Sequence, residues 1–253
     1  MTHSTHSTKK RLSTWFLTRK SKSQRTSSFR DTVEALSIAV IIAIFLRLFV
    51  IEAFKIPTGS MIPTLKIEDH IFVNKFIYGL RIPFTKIRFF QFTSPKRGDI
   101  VVFIFPLNNS KDYIKRVIGI PGDEIEVHGR VVYVNGVPAE KVIQEDRRVL
   151  SDVEDADGVD LYSETNGHAT HYTQYSKYQS TRDYGPKTVP PDHLFVMGDN
   201  RDNSYDSRGW GFVPMNHLKG KALFVWLSLD PLHRYSFLGL PSIRWERFGK
   251  MIR

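Results

Sequence analysis

One run of apolar residues constrains the fold of this chain more than any other feature. Residues 35–51 read Ala-Leu-Ser-Ile-Ala-Val-Ile-Ile-Ala-Ile-Phe-Leu-Arg-Leu-Phe-Val-Ile, with Arg47 as the single charge. As an α-helix this segment would rise about 26 Å, close to the thickness of the hydrocarbon core of a bilayer. It is apolar on every face and ends in aromatic residues, as membrane helices do. The run predicts a transmembrane anchor.

Two other interpretations of the run are a buried core helix and a cleavable signal peptide. A signal peptide usually has a shorter apolar stretch, followed by a small-x-small cleavage site. Here Glu52-Ala-Phe-Lys55 follows, which is a poor cleavage site. We therefore predict an anchor that is not cleaved.

Positive charge is concentrated before this run. The formal net charge is +10, and residues 1–34 contain eight lysines and arginines beside two acids, Asp31 and Glu34. Because the cytoplasmic flanks of membrane helices are rich in lysine and arginine, we expect residues 1–34 to be a disordered cytoplasmic tail and residues 52–253 to lie outside. The basic block is interpreted as a topology signal, so we expect membrane lipid as a partner and no nucleic acid.

Beyond the run, helical periodicity gives way to short β-type segments separated by Gly and Pro. Residues 128–130 and Asn135-Gly136 read as hairpin turns. The pattern predicts a mainly antiparallel β domain made of residues 52–137 and 191–230. The predicted strands are 71–73, 100–105, 114–120, 125–127, 131–134, 194–196 and 222–227.

Two other segments have a different composition. Residues 138–190 are polar, with an acidic stretch at 151–160, and we expect a small inserted subdomain of low local order. Residues 231–253 combine aromatic rings with cations and are interpreted as an amphipathic tail. Such a tail suits the membrane interface, and packing of its rings into the domain core is the other possibility.

The sharpest local feature is the segment that reads Pro57-Thr-Gly-Ser-Met-Ile-Pro-Thr-Leu65. Its prolines and Gly59 enforce an irregular path that exposes Ser60 on a tight bend. A nucleophilic serine needs such exposure, together with a base and donors for the oxyanion. A serine in a turn is more often a simple turn residue, so this segment alone leaves both readings open.

The base for Ser60 is a histidine or a lysine. Seven histidines lie beyond the anchor, mostly in loop-like contexts. Lys115 lies in a β-type run, where alternation places it on one face with Tyr113 and Val117. Burial on an apolar face would lower the pKa of a lysine enough to make it a general base, although exposure on an edge strand is the commoner arrangement.

A third cluster, residues 197–212, is dense in Gly, Asp, Asn and Arg. The spacing of its acids resembles a calcium loop, but Arg201 and Arg208 are interleaved and cations are poor neighbours for Ca²⁺. We expect a rigid, charge-paired loop that supports an active site. The chain has no cysteine, which excludes thiol catalysis and cysteine metal sites. We expect no metal and no cofactor.

Four blocks in order resemble bacterial type I signal peptidases, the Ser-Lys peptidases of family S26. They are residues 57–65, 97–103, 113–123 and 198–208. The resemblance covers most of residues 45–230. It implies a fold of the signal-peptidase and repressor-protease type, an antiparallel β catalytic domain with one N-terminal transmembrane helix and a small inserted subdomain.

The same resemblance implies roles for particular residues. Ser60 would be the nucleophile, Lys115 its general base, and Ser204 the group that orients the lysine. The Thr58 hydroxyl, where some members have Ser, would form the oxyanion hole with the Ser60 N–H. Two structural ion pairs and a set of shallow apolar pockets for small side chains would complete the site: Asp199 with Arg116, Asp206 with Arg208, and the pocket residues Phe54, Ile56, Met61 and Ile114.

The implied function is removal of N-terminal signal peptides from exported preproteins after Ala-x-Ala-like sites. The implied location is the bacterial inner membrane, crossed once, with the N-terminus cytoplasmic and the catalytic domain on the periplasmic face. Alternatives are a specialised conjugation or pilus-type Ser-Lys peptidase, and an inactive membrane-tethered binding protein of the same fold. A self-cleaving repressor is disfavoured because such proteins are soluble and carry a DNA-binding domain.

Overall fold

The structure is a computed structural model that describes residues 24–81, 88–90, 92–151, 153, 155–166, 169–234 and 239–253. The chain divides into two compact units, Met1–Ile44 and Phe45–Arg253. Most of the predicted tail at 1–34 lies outside the described residues.

The described residues of the first unit all belong to helix α1, Gln24–Phe45, which is followed by a short π-helical stretch at Leu46–Val50. Together these two helical stretches contain an apolar span, Phe29–Val50, of 22 residues with a mean hydropathy of 2.5 and no buried share. The exposure argues against a buried core helix. The span is long enough to cross a bilayer and begins earlier than the predicted anchor at 35–51.

The described residues of the second unit form antiparallel strands and a short α-helix, α2, at Ser207–Trp210. The strands in chain order are β1 Ile51–Lys55, β2 Asp69–Asn74, β3 Leu80–Arg81, β4 Arg88–Phe89, β5 Ile100–Ile104, β6 Asp112–Gly119, β7 Glu124–His128, β8 Val131–Val134, β9 Val137–Pro138, β10 Glu140–Ile143, β11 Val159–Asn166, β12 Ala169–Ser176, β13 Tyr184–Thr188, β14 His193–Met197, β15 Val213–Pro214, β16 Leu218–Arg234 and β17 Pro241–Ile243.

The largest sheet contains eight strands in the order β1-β2-β16-β5-β6-β14-β15, with β17 paired to β16. This sheet includes the strand that precedes the candidate nucleophile and the strand that contains the candidate base. Strand β1 leads directly into the segment that carries Ser60, and β6 carries Lys115. The long strand β16 pairs with both β2 and β5, so one continuous segment ties the β1 side of the sheet to the β6 side.

Apolar side chains from these strands form the core. One cluster packs Ile56, Met61 and Leu65 of the nucleophile segment against buried residues of β2, β5 and β16. Burial of each such side chain stabilises the fold by roughly 1.5–3 kcal/mol. The nucleophile segment is therefore anchored by its apolar residues, although its backbone is irregular.

Each predicted segment overlaps a strand of the structure, in chain order β2, β5, β6, β7, β8, β14 and β16, although β5 and β6 each end one residue before the predicted boundary. The hairpin prediction at Asn135-Gly136 is also right, since β8 pairs with β9 and both turn residues have positive φ, 55° and 76°. Asn and Gly tolerate that conformation, and the turn twists with the strands it joins.

Residues 138–190 contain more regular structure than expected. Strands β10, β11 and β12 form a three-stranded sheet, whereas β13 pairs with β7 in a second sheet with β8 and β9. The segment therefore contributes to two sheets. The inward side chains of β11 and β12 are mainly polar, Glu164, Asn166 and Thr173 among them, so a reading based on apolar alternation does not detect these strands.

Candidate active site

Ser60 lies in a 3-10 turn, Gly59–Met61, directly after the extended residue Thr58. The turn closes with a hydrogen bond from the Ile62 N–H to the Gly59 carbonyl, at 3.1 Å. Met61 and Ile62 are buried beneath it, whereas Thr58 is exposed and Ser60 is half-buried. Anchoring by the neighbouring apolar side chains leaves the Ser60 hydroxyl accessible.

Asn200 holds the same turn from the other side. Its N–H donates to the Ser60 carbonyl and its side-chain amide donates to the Gly59 carbonyl, both at 3.1 Å. Two hydrogen bonds from one residue fix the turn relative to the loop at 198–208. The sequence places Asn200 inside a recognised block but gives no sign of this role.

Gly198 is the point where that loop comes closest to Ser60. A Cβ on Gly198 would lie 2.4 Å from the Ser60 carbonyl oxygen and 2.3 Å from Ser204 Oγ. Since real Cβ atoms do not approach other atoms so closely, only glycine fits here without displacing the turn.

The side chain of Lys115 contacts the Ser60 hydroxyl. It lies opposite Val101 in the pairing of β5 with β6, is 4% exposed, and has its Nζ 2.5 Å from Ser60 Oγ. Burial lowers the pKa of Lys115 from 10.5 to about 8, although the carboxylates of Asp206 and Asp199 act to raise it. Near pH 8 a substantial fraction of Lys115 is therefore a neutral amine, which can accept a proton.

The Arg116–Asp199 pair lies directly beside this contact. The Arg116 guanidinium donates to both Asp199 oxygens at 2.8 and 2.7 Å, and both side chains are buried. Arg116 also donates to the Gly98 carbonyl, and the Thr64 hydroxyl donates to Asp199. These bonds compensate the buried charges and hold the pKa of Asp199 below its usual range, against desolvation by burial.

The second ion pair joins neighbours in the loop. Asp206 accepts two hydrogen bonds from the Arg208 guanidinium, each at 2.8 Å, and a third from the Gly198 N–H. Asp206 also caps helix α2 by accepting from the Arg208 N–H. The pair thus connects the cap of the helix to the glycine that contacts Ser60.

Ser204 lies close to this pair and to Gly198, and its hydroxyl is buried. The hydroxyl has no hydrogen-bond partner with good geometry among the described residues. It nevertheless lies close enough to the Asp206 carboxylate to help lower the pKa of that group. Among the described residues, Ser204 makes no hydrogen bond to Lys115. The Lys115 amine contacts Ser60 instead.

The four expected pocket residues belong to one cluster. Ile56 and Met61 are buried in the core, and Phe54 and Ile114 pack against that core while remaining partly exposed. Phe54 and Ile114 therefore supply accessible apolar surface on the cluster that contains Met61, the residue after Ser60. Of the histidines, His171 is buried near Glu164 and Asp199, and His168 lies outside the described residues.

A buried polar group that the sequence did not indicate lies behind the loop. Arg201 donates to both oxygens of Glu164 on β11, at 2.7 and 2.5 Å, and to the Tyr175 hydroxyl on β12 at 3.0 Å. Arg201 and Glu164 are fully buried. This group links the β11–β12 hairpin to the loop that holds Ser60.

The model of the signal peptidase family, peptidase S26, matches residues 29–227. Signal peptidase I of Pseudomonas aeruginosa is 42% identical over 201 residues, which cover 74% of this chain and 68% of that protein. The chain belongs to the signal peptidase S26 family. Its membership confirms the resemblance, the predicted fold class and the enzyme class, a membrane-anchored serine endopeptidase.

Other members of the signal peptidase family are also similar. Signal peptidase I of Pseudomonas fluorescens is 39% identical over 218 residues, with 79% of this chain and 74% of that protein covered. The crystal structure of a signal peptidase I from Enterococcus faecalis is 27% identical, covers 51% of this chain and 97% of its own, and has a TM-score of 0.32.

Proposed function

We propose that this enzyme removes N-terminal signal peptides from exported preproteins, with Ser60 as the nucleophile and Lys115 as the general base. The observation that carries the proposal is the 2.5 Å contact between Lys115 Nζ and Ser60 Oγ. Burial of Lys115 lowers its pKa to about 8. A nucleophile within hydrogen-bond reach of a base that is partly deprotonated near neutral pH has the arrangement that acyl transfer requires.

The first half of the reaction forms an ester. Neutral Lys115 accepts the Ser60 proton while Ser60 Oγ attacks the carbonyl carbon before the cut. The Ser60 N–H and the exposed Thr58 hydroxyl stabilise the oxyanion of the tetrahedral intermediate. Lys115 then gives its proton to the leaving amine, which becomes the N-terminus of the mature protein, and the signal peptide stays bound to Ser60 as an ester.

The second half hydrolyses that ester. Lys115 accepts a proton from water, the hydroxide attacks the ester carbonyl, and the proton returns to Ser60 Oγ as the signal peptide leaves with a free carboxylate. Asp199 with Arg116 and Asp206 with Arg208 hold the loop against the Ser60 turn. Ser204, which is buried beside Gly198, would orient the Lys115 amine once substrate binding draws that amine toward it.

The specificity follows from the surface next to Ser60. Phe54 and Ile114 lie partly exposed over the buried Ile56 and Met61, so the pocket floor is close to the surface. A shallow apolar pocket accepts Ala and rejects larger side chains sterically. We therefore place the Ala-x-Ala-like recognition sequence over these four residues.

The proposed location is the inner membrane, with the chain crossing once at 29–50, its basic tail in the cytoplasm and its β unit on the periplasmic face. The exposed apolar span and the excess of lysine and arginine in residues 1–34 support this orientation. Membrane lipid and preproteins would be the partners. The pilus-type and inactive alternatives gain no support from the site.

The testing experiment is cleavage of a preprotein with an Ala-x-Ala site by the full chain purified in detergent. Ser60→Ala and Lys115→Met should each reduce the rate by at least about 10³-fold, because either change removes a member of the nucleophile–base pair. Lys111→Met, on the same segment but exposed, is the matched control and should leave the rate unchanged. Full activity of Lys115→Met would contradict the proposed base.

A further inference from the structure

One charged side chain contacts two of the strands that carry the proposed pocket. Lys219 lies near the start of β16, and its Nζ is 2.6 Å from Asp112 Oδ2 on β6. The same Nζ lies 5.5 Å from the centre of the Phe54 ring on β1, within the range of a cation–π contact. Three strands separate β1 from β6 in the order of the sheet, so Lys219 connects parts of the sheet that are distant in that order.

Strand β6 offers a substrate an open edge only along its first half. Its second half pairs with β14 on this edge, between Arg116 and Gly119, and β5 occupies the opposite edge. Among the described residues, no strand pairs with residues 112–115 on the open edge. An extended substrate whose cut bond lies at Ser60, beside Lys115, therefore has room along β6 only toward Asp112.

The spacing of side chains then separates the two recognition positions. Side chains two residues apart on an extended chain point the same way and lie about 7 Å apart along it. The side chain next to the cut therefore lies near Ser60, and the one three residues before the cut lies farther along, toward Asp112. Because alternation places Asp112 on the same face of β6 as Ile114, the ion pair borders the outer end of the apolar surface.

We infer that Lys219, held in place by Asp112, limits the size of the substrate side chain three residues before the cut, an inference that rests on the proposed function. The aliphatic stem of Lys219 extends from β16 to the space between Phe54 and Asp112 and closes the outer end of the apolar surface. The Asp112 carboxylate keeps this stem from turning into solvent. An alanine side chain fits inside this limit, whereas a phenylalanine ring overlaps the stem.

A second lysine on β16 provides a matched comparison. Lys221 Nζ lies 2.5 Å from Asp99 Oδ1, and its side chain is 32% exposed, against 24% for Lys219. Its partner Asp99 precedes β5 and belongs to neither β1 nor β6. The two lysines therefore make similar ion pairs from the same strand, but only the pair of Lys219 borders the pocket.

The experiment compares three preprotein-derived peptides that differ at a single position before the cut, Ala-x-Ala, Phe-x-Ala and Ala-x-Phe. The full chain purified in detergent is assayed for kcat/KM on each. The wild type should cleave Ala-x-Ala at least about 10²-fold more efficiently than either phenylalanine peptide, because both pockets exclude the ring sterically. Since each ratio compares two substrates of the same protein, it does not depend on the fraction of the protein that is folded.

Variants then assign the limit to Lys219. Lys219→Ala should raise the efficiency on Phe-x-Ala about tenfold relative to Ala-x-Ala, because loss of the stem leaves room for the ring, and Ala-x-Phe should stay as poor as before. Asp112→Ala should act in the same direction, because the freed lysine turns into solvent. Lys221→Ala should change no ratio. Exposed ion pairs contribute little to stability, so all three variants should keep the thermal unfolding midpoint of the wild type.

Three outcomes would overturn the inference: an unchanged ratio in Lys219→Ala, an equal gain on Ala-x-Phe, or the same gain in Lys221→Ala. A wild-type ratio in Asp112→Ala would overturn the role assigned to that carboxylate. Failure of the wild-type protein to cleave Ala-x-Ala would instead refute the proposed function itself.

Discussion

At the scale of single residues, Lys115 carries the proposed chemistry because of where the fold buries it. A lysine on an exposed strand keeps a pKa near 10.5 and is protonated at neutral pH. Removal from water disfavours the ammonium form, and the nearby carboxylates offset only part of that effect. The base is thus produced by the packing of β6 against the nucleophile segment.

The pH dependence of cleavage should report this pKa. Since the neutral amine is the active form, kcat/KM should rise about tenfold per pH unit below pH 8 and reach a plateau above it. A pH series with a peptide substrate in detergent measures this profile. A midpoint near 6.5 would indicate a histidine base instead.

Burial of Lys115 should also limit stability. The folded state has the lower pKa, about 8 against 10.5, so it binds fewer protons than the unfolded chain between these values, and stability rises with pH in that window. Below pH 8 the full penalty applies, up to about 3 kcal/mol. Lys115→Met should therefore unfold at a higher temperature than the wild type at pH 7.

The difference in unfolding temperature should shrink as pH is raised from 8 toward 10.5, because the lysine of the unfolded chain also loses its proton as pH approaches 10.5. Thermal unfolding of both proteins at pH 7 and pH 10 tests the prediction. A Lys115→Met protein that is less stable at pH 7 would show that the lysine contributes favourable contacts exceeding its desolvation cost.

Gly198 offers a test of the contact between the loop and the nucleophile turn. In Gly198→Ala the new methyl group would overlap the Ser60 carbonyl and Ser204 Oγ, so the turn must move. We expect kcat to fall about 10²-fold, since small displacements of a nucleophile have effects of this size.

The matched control is Gly209→Ala, within helix α2, where the new methyl group would meet only the ring of the exposed Tyr205. That ring can rotate away, so activity should persist. Cleavage rates of the two alanine variants, compared at equal folded fraction, distinguish displacement of Ser60 from a general effect of the substitution.

At the scale of secondary-structure elements, the pattern of apolar residues decides which strands can be predicted from the sequence. Strand β5 is buried at every position, and its run of Ile, Val and Phe made it easy to predict. The β11–β12 hairpin was not predicted, because its buried positions include Glu164, Asn166 and His171. Burial of Glu164 is possible because Arg201, distant in sequence, supplies the compensating charge.

The site shows the same limit. Ser60 and Lys115 are 55 positions apart, and neither residue alone indicates the other. The pairing of Ser60 with Lys115 was predicted from the four family motifs and their order in the sequence. The Asn200 contacts with the Ser60 turn depend on tertiary packing, so no local pattern predicts them.

The hairpin should be held mainly by the buried Glu164–Arg201 pair. Glu164→Gln would leave a buried guanidinium without its counter-charge, at an expected cost of about 3–5 kcal/mol of unfolding free energy. Denaturant unfolding and amide exchange across residues 159–176 measure the loss.

The control for this variant is Asp146→Asn, which removes the exposed pair with Arg148 in the segment that precedes the hairpin. Exposed ion pairs contribute little to stability, so we expect no measurable change. If Glu164→Gln behaved like this control, the hairpin would be stabilised by its apolar contacts instead.

At the scale of the whole molecule, the anchor and the catalytic unit have different roles. The β unit, residues 45–253, contains the proposed nucleophile, base and pocket. The span 29–50 adds no group to that chemistry. What it supplies is confinement to the membrane, where a preprotein is also held by its own signal sequence. Confinement of both partners raises their effective concentration without any new contact.

This division of roles predicts how the chain behaves without its anchor. Deletion of residues 1–44 should leave kcat on a short soluble peptide within about twofold, and lower the cleavage rate of a preprotein embedded in vesicles at least about 10²-fold, the range expected for lost multivalency. Replacing 29–44 with an unrelated apolar helix should restore vesicle cleavage, because tethering requires only a span of suitable length. If the replacement failed while the peptide activity was normal, α1 would instead contribute specific contacts to the substrate.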